Sequence, residues 1–332
     1  MTSRSRSRRL LLLGATVAAG AAAGVAYRRL AVAGTNDDSS GDDGLHALGW
    51  GDVVPRPDHR IVRTPDGAHL AVWDLEGEGP DAPVVVLPHC WGCSHEIWVP
   101  VARRLREQGH RVVLYDQRGH GTSTRGTAPL AVDTLAHDLS AVLEATDVRD
   151  AVLAGHSMGG MTIMSLATYR PEVLRDRAKA TVLVATAAHD PRGQSVPQAA
   201  RLAAAFISSS VVTRSMRTTN GHRFVRGAFG VDPVHSHMVL TRDLFAACDP
   251  AVRGGWLAAM TEMNLLEGIA SIDVPTTVIV GSRDTLTVPA RAEAIASTIP
   301  GARLVTLEDR GHMLPLEDPE AVTDEIVRAV KG

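Results

Sequence analysis

The chain has 332 residues, 45% hydrophobic and 21% charged, a balance that excludes a disordered or fibrous protein and provides for a sizeable core with room for an inserted subdomain. Six of its 34 basic residues are arginines ahead of residue 35, where there is no acid, so the remainder carries 28 basic against 37 acidic residues. That net negative body argues against a nucleic-acid partner.

In chain order, the first segment "MTSRSRSRRLLLLGATVAAGAAAGVAYRRLAVAG" is a targeting signal rather than part of a fold. Its uncharged run from Leu10 to Tyr27 has 18 residues. As a helix these rise about 27 Å at ~1.5 Å each, just enough for a ~30 Å hydrocarbon core. Two readings stay open. Residues 10–27 form an uncleaved membrane anchor, or the paired Arg8–Arg9 and the small-residue "AVA" before Gly34 mark a cleaved export signal, against which Arg28–Arg29 counts. Either expectation places the protein at the membrane or beyond the cytoplasm; a cytosolic protein with a misleading tail is the less favoured alternative. Residues 35–54, rich in Gly, Asp and Ser, form a linker.

"HRIVRTPDGAHLAVWDL" holds two short strand patterns around Asp66-Gly67, a strong hairpin signal. Apolar runs follow at 84–89, 111–116, 150–156, 180–186, 276–281 and 302–307. They are continuous rather than alternating, which predicts strands covered on both faces. Helical patterns lie between them at Ile97–Gly109, Leu130–Ala145, Met158–Arg170, Pro289–Thr298 and Pro319–Val330. The alternation predicts an α/β fold with a mostly parallel central sheet and helices on both faces. From Asp190 to Ile272 no strand pattern occurs, which predicts an inserted helical cap. Its Phe206, Phe224, Phe229, Phe245, Trp256, Met260 and Met263 are packing residues first and pocket-lining candidates second.

Chemistry concentrates in "AGHSMGG", where Gly155, Ser157 and Gly159 stand between a buried strand and a helix. This is the context of a nucleophile elbow, whose strained turn needs small residues two before and two after the serine. The helix N-terminus there favours developing negative charge. A serine hydroxyl also needs a base held by an acid. Asp284 follows one strand and His312 the next, both beyond carboxyl ends of strands, where sites of such sheets assemble. Asp190 is the rival for the acid. Four potential ligands crowd "PHCWGCSHEIW", but His89, Cys90, Cys93 and His95 match no usual metal spacing and no thioredoxin-like CxxC setting. If the domain is exported a Cys90–Cys93 disulfide is permitted; packing is the preferred role. Asp116, Arg118, His120 and Ser123 of "DQRGHGTST" fit a structural turn, and Arg283 is placed to tune Asp284. His156 is expected to point into the packing, and His235-Ser236-His237 to lie in a loop.

Together "VVVLPHCWGCSHEIW", "YDQRGHGTST", "GHSMGG", "GSRDTLTVP" and "RGHMLPLE" resemble the α/β-hydrolase-fold serine esterases and lipases, with an elbow similar to that of monoacylglycerol lipases and cofactor-free haloperoxidases. The resemblance runs from about residue 59 to 332. Beyond the signal or anchor (1–34) and the linker (35–54) read above, it implies a hydrolase core in two parts (55–189 and 273–332) and a helical cap (190–272). It also implies a Ser157–Asp284–His312 triad and an oxyanion hole made by the backbone N–H groups of Trp91 and Met158. Cys90 departs from the glycine usual before the first of these donors. The implied activity is hydrolysis of a carboxylic ester through an acyl-enzyme, with no metal or organic cofactor, on a small-molecule and plausibly lipid-like substrate. Perhydrolytic haloperoxidase, enol-lactone hydrolase and lyase chemistries share this triad, and a ligand-binding receptor on the same fold is the remaining alternative.

Overall fold

The computed structural model describes residues 59–189, 207–216 and 218–332. The expected N-terminal signal or anchor, the expected linker, Phe206, Asp190 and the start of the inserted segment lie outside the described residues. Among the described residues no helix is long and apolar enough to cross a membrane.

Eight strands make one sheet: β1 (Arg60–Arg63), β2 (His69–Leu75), β3 (Val84–Pro88), β4 (Arg111–Tyr115), β5 (Ala151–His156), β6 (Ala178–Val184), β7 (Thr276–Gly281) and β8 (Arg303–Leu307). Their spatial order is β1-β2-β4-β3-β5-β6-β7-β8. β1 and β2 form the antiparallel hairpin turned at Gly67, where φ is +83°. β2 runs antiparallel to β4, and every other pairing is parallel. From β3 the chain crosses to β4 on one side, then returns to β5 on the other. The order therefore reverses between β3 and β5, and a crevice opens beyond their carboxyl ends.

The helices are α1 (Val99–Glu107), α2 (Val132–Ala145), α3 (Met158–Tyr169), α4 (Pro171–Arg177), α5 (Ser210–Met216), α6 (Thr219–Arg226), α7 (His235–Ala247), α8 (Pro250–Thr261), α9 (Leu266–Ile269), α10 (Pro289–Thr298), α11 (Leu314–Glu317) and α12 (Pro319–Lys331). Several start where a proline occupies the first turn, as at Pro250, Pro289 and Pro319, because that N–H has no intrahelical acceptor to lose. Asp249 caps α8 through the N–H of Ala251 at 2.7 Å, and Asp318 caps α12 through Ala321 at 3.1 Å. The predicted helix at 97–109 divides into a short 3-10 turn, His95–Trp98, and α1.

The continuous apolar runs split by alternation. Val86 and Val113 face one core with Leu135, Leu139 and Met161, whereas Val85, Leu87, Val112 and Leu114 face the other with Val101, Leu105, Val322 and Ile326. Sidedness of this kind is what strands sandwiched between helix layers require. β8 departs from the expectation that all six runs are covered: it is the sheet's edge, and Arg303, Leu304 and Thr306 are exposed.

Between β6 and β7 the described residues hold α5 to α9. The buried members Phe229, Phe245, Trp256, Met260 and Met263 pack inward, and Phe224 is exposed. Tertiary bonds fix this segment to the core: His312 N–H to the Ala228 carbonyl at 2.8 Å, Val231 N–H to Asp309 at 2.8 Å and Leu265 N–H to Ala188 at 2.7 Å.

Arg118 is the largest buried cation of the "DQRGHGTST" turn, with 2% of its surface exposed. Its guanidinium donates to Asp138 of α2 at 2.7 and 2.6 Å and to Asp66 of the hairpin turn at 2.6 and 3.1 Å. Asp66 is held well below the usual carboxylate range chiefly by the bond from Arg118. Removing one partner of a buried ion pair leaves a desolvated charge uncompensated. An Arg118→Gln variant is expected to lose about 3–5 kcal/mol of stability, read from urea unfolding midpoints; a loss under about 1 kcal/mol would overturn the structural role.

Candidate active site

The elbow is built by steric exclusion. A Cβ on Gly159 would lie 2.0 Å from the Pro88 carbonyl oxygen, and one on Gly155 would lie 2.3 Å from the Gly159 oxygen. Both are far inside contact distance, so β3, β5 and α3 approach this closely only with glycine at those positions. Gly160 is a third such residue, because its Cβ would meet the Thr186 side chain at 2.7 Å. Within this packing Ser157 adopts φ 54°, ψ −113°, a conformation L-residues avoid. It is retained because Ser157 N–H donates to the Val184 carbonyl at 2.9 Å and the Thr186 hydroxyl donates to the Ser157 carbonyl at 2.7 Å. The side chain is thereby presented at the N-terminus of α3.

His312 follows β8. Its Nδ1–H donates to Asp284 Oδ2 at 2.9 Å. Asp284 stands in the loop after β7 and accepts three further bonds: Leu286 N–H at 2.8 Å, Thr287 N–H at 2.9 Å and the Thr287 hydroxyl at 2.7 Å. Burial pushes this carboxyl up, but His312 and the Thr287 donors outweigh it and hold Asp284 below its ordinary value. It is therefore a carboxylate at neutral pH, and by accepting from Nδ1–H it selects the tautomer of a neutral imidazole in which Nε2 is the acceptor. Thr287, whose hydroxyl also lies 3.2 Å from His312 Nδ1, was not singled out by sequence, although Asp-x-x-Thr is the pattern of a side chain accepting from the backbone ahead of it.

Ser157 Oγ makes no hydrogen bond to His312 among the described residues; the two loops are joined one residue away. His156 Nε2–H donates to the His312 carbonyl at 2.7 Å, and the two rings lie 5.0 Å apart. His156 is buried as expected, yet it contacts the site rather than facing away from it. Serine–histidine bonds of this kind commonly tighten only with substrate present.

Trp91 follows β3, across the crevice from Ser157, and Met158 opens α3. Among the described residues neither backbone N–H has a protein acceptor, as a developing oxyanion requires. The glycine-demanding position in this loop is Gly92, with φ +72°, and Cys90 has no positive φ. The neighbouring imidazoles support the loop. Gly92 N–H donates to His120 Nε2 at 3.0 Å, while His120 Nδ1–H donates to the Arg118 carbonyl at 3.1 Å. His89 Nδ1–H donates to the Cys90 carbonyl at 2.7 Å and its Nε2 accepts from Gln117 N–H at 2.9 Å. His95 is bound to buried Asp116 at 2.6 Å.

These side chains are thus spent on scaffolding. Cys90, Cys93 and Cys248 are buried free thiols, so no disulfide joins Cys90 to Cys93. The Cys93 thiol is pushed up by its bond with Cys90 and by burial, away from the thiolate that redox or metal chemistry uses. Arg283 turns outward to Asp309 at 3.3 Å and is 64% exposed, so it does not tune Asp284. His235 and His237 lie in α7 rather than in a loop.

A family described as the alpha/beta hydrolase fold matches residues 83–319. The chain is 28% identical to a pimeloyl-[acyl-carrier protein] methyl ester esterase of Xanthomonas campestris, over 77% of this chain and 97% of that protein. It is also 28% identical to the non-heme chloroperoxidase CPO-A1 of Kitasatospora aureofaciens, over 76% and 91%. Among solved structures, an enol-lactonase from Burkholderia xenovorans superposes with a TM-score of 0.66 at 26% identity, covering 80% of this chain and 97% of that one.

The buried imidazoles give the site a measurable signature. Burial pushes His89 and His156 down to about 3 and His120 to about 4. Their native values lie below the ~6.5 of an unfolded chain, so their stabilisation is full above pH 6.5. It is lost as pH falls toward 4, because only the unfolded state takes up the protons. Each contributes up to about 1.4 kcal/mol per pH unit. Urea unfolding at pH 7.5 and 5.0 should show His120→Gln losing less stability on acidification than the unsubstituted chain; equal losses would refute neutral burial of His120.

Proposed function

The chain belongs to the alpha/beta hydrolase fold family, and on that premise we propose that it is a serine hydrolase cleaving carboxylic esters through Ser157, His312 and Asp284. The observation that carries the reading is the buried Asp284–His312 pair, 2.9 Å apart, held beside the strained Ser157 turn by loops from β7 and β8. In this mechanism His312 Nε2 takes the Ser157 proton as Oγ attacks the carbonyl carbon. The oxygen that gains charge is met by the N–H groups of Trp91 and Met158. His312 then passes its proton to the leaving alcohol, leaving an acyl-Ser157 ester. Water, deprotonated by His312, attacks that ester and releases the acid. Asp284 remains a carboxylate throughout, stabilising the imidazolium.

The apolar group Val212, Met216 and Phe245, packed beside Trp91, supports an apolar acyl chain as the recognised part. An apolar run at Leu10–Tyr27 supports a membrane tether or export signal ahead of the domain, and with it a lipid-like ester met at the cell envelope. A second reading rests on the chloroperoxidase relative, which is as similar to this chain as the esterase is. Hydrogen peroxide replacing water on the acyl-enzyme would give a peracid and free Ser157. An enol lactone is a cyclic ester opened by the first mechanism unchanged.

A fluorophosphonate probe should label folded protein at Ser157, and Ser157→Ala should lose turnover of p-nitrophenyl esters by on the order of 10⁴-fold or more. An unlabelled folded chain, or full turnover by the variant, would sink the mechanism. Acyl chains of two to twelve carbons, assayed with and without peroxide plus bromide, separate the two readings.

A further inference from the structure

Two helices of the segment between β6 and β7, α7 and α8, meet one side chain of the oxyanion loop, and a third, α5, is tied to them. Trp91 Nε1–H donates to the Arg253 carbonyl of α8 at 3.0 Å. Its ring meets Phe245 of α7 edge to face, with centroids 5.3 Å apart at 82°. Phe245 also sits on the next peptide, since a Cβ on Gly92 would lie 2.5 Å from the phenyl ring. Behind Phe245 stands the Arg253 guanidinium, 4.7 Å from the ring centroid. It donates to the Phe245 carbonyl at 2.7 Å and to the Thr213 hydroxyl of α5 at 2.6 Å.

Arg253 is fully buried, and among the described residues no carboxylate is in ion-pair contact with it, Asp249 acting on it only at longer range. A desolvated guanidinium without a counter-ion is expensive, and burial pushes its pKa down. Its bonds bind α5, α7 and α8 to one another and press Phe245 against the loop. From the opposite side the loop is gripped by the core, where Gly92 N–H is held by His120 and the Cys90 carbonyl by His89. The Trp91 peptide is the unit between these two grips, and its N–H is left for substrate.

We propose that Trp91 is a positioning residue whose side chain ties its own backbone N–H to the inserted helices, so that the seating of those helices sets the aim of the oxyanion hole. This rests on the assignment of that N–H as an oxyanion donor. The indole bond fixes the loop laterally and Phe245 wedges it from above. Displacement of α7 or α8 therefore turns the donor away from the tetrahedral oxygen, slowing acylation while the ground-state pocket for the ester is little changed.

The test is Trp91→Phe in the full chain, which keeps the peptide N–H and an aromatic ring while deleting the donor to Arg253 together with the second ring of the indole. Losing a donor outright commonly costs ~10²–10³ in turnover, and mis-aiming one should cost about tenfold. The expected result is an about tenfold loss of kcat with KM within about twofold. Fluorophosphonate labelling of Ser157 should slow, and affinity for a trifluoromethyl ketone that binds as a tetrahedral oxyanion should weaken, by the same factor. Phe245→Leu removes the wedge without touching Trp91 and should show the same parallel at smaller amplitude; it decides the matter if Trp91→Phe does not fold. A loss confined to KM, with trifluoromethyl ketone affinity unchanged, or kcat within about twofold in both variants, would overturn the proposal. Failure of the unsubstituted chain to label at Ser157 would instead refute the underlying hydrolase assignment.

Discussion

Three stretches of backbone meet at the elbow more closely than any side chain allows. The carbonyl of Pro88 at the end of β3 occupies the space a Cβ of Gly159 would need, and the Gly159 carbonyl occupies that of Gly155. That steric fact sets the angle at which α3 leaves β5 and so puts Ser157 at positive φ on the rim of the crevice. It also sets the distance from the serine to the loop after β3. The remaining residues of the candidate site are arranged around a serine whose position is dictated by main chain against main chain.

Around that fixed point, neutral histidines do most of the connecting. His156 joins the elbow strand to the loop that carries His312, and His89 and His120 hold the two ends of the Cys90–Gly92 loop. Each ring donates with one nitrogen; His89 and His120 also accept a backbone N–H with the other. A buried imidazole can do both without carrying charge. Placed beside a site that in the proposed mechanism develops an oxyanion and an imidazolium, such rings brace the loops and add no competing field. Asp116, a buried carboxylate in this shell, is held by His95 at 2.6 Å.

Much of this architecture is legible in the sequence because local and global requirements coincide. The β5 run, buried at every position, the Gly-x-Ser-x-Gly turn and the Asp284 and His312 loops each carry their own signature, and the sheet order brings the two loops together. Other features have no local signature. β8 reads like an interior strand, and only strand order reveals it as an edge. "DQRGHGTST" reads as a turn, and nothing in its composition says that His120 serves Gly92 or that Arg118 serves Asp66 and Asp138, partners 28, 52 and 20 residues away. Cys90 drew notice as a departure at a glycine position, whereas the backbone places its glycine requirement at residue 92. For His120 and Arg118 the decisive partners are distant in sequence.

Arg118 also bears on the order in which the chain assembles. Its guanidinium leaves water only once the β1–β2 turn and α2 both offer a carboxylate, so a half-docked hairpin holds a dehydrated cation with one partner missing. Intermediate positions of the hairpin are therefore costly, and it docks or leaves as a unit instead of peeling strand by strand. Because β2 covers β4, this cooperativity keeps the edge of the parallel sheet from being bared by small fluctuations. The clamp thereby opposes edge-to-edge association between molecules, a role separate from the chemistry of the crevice.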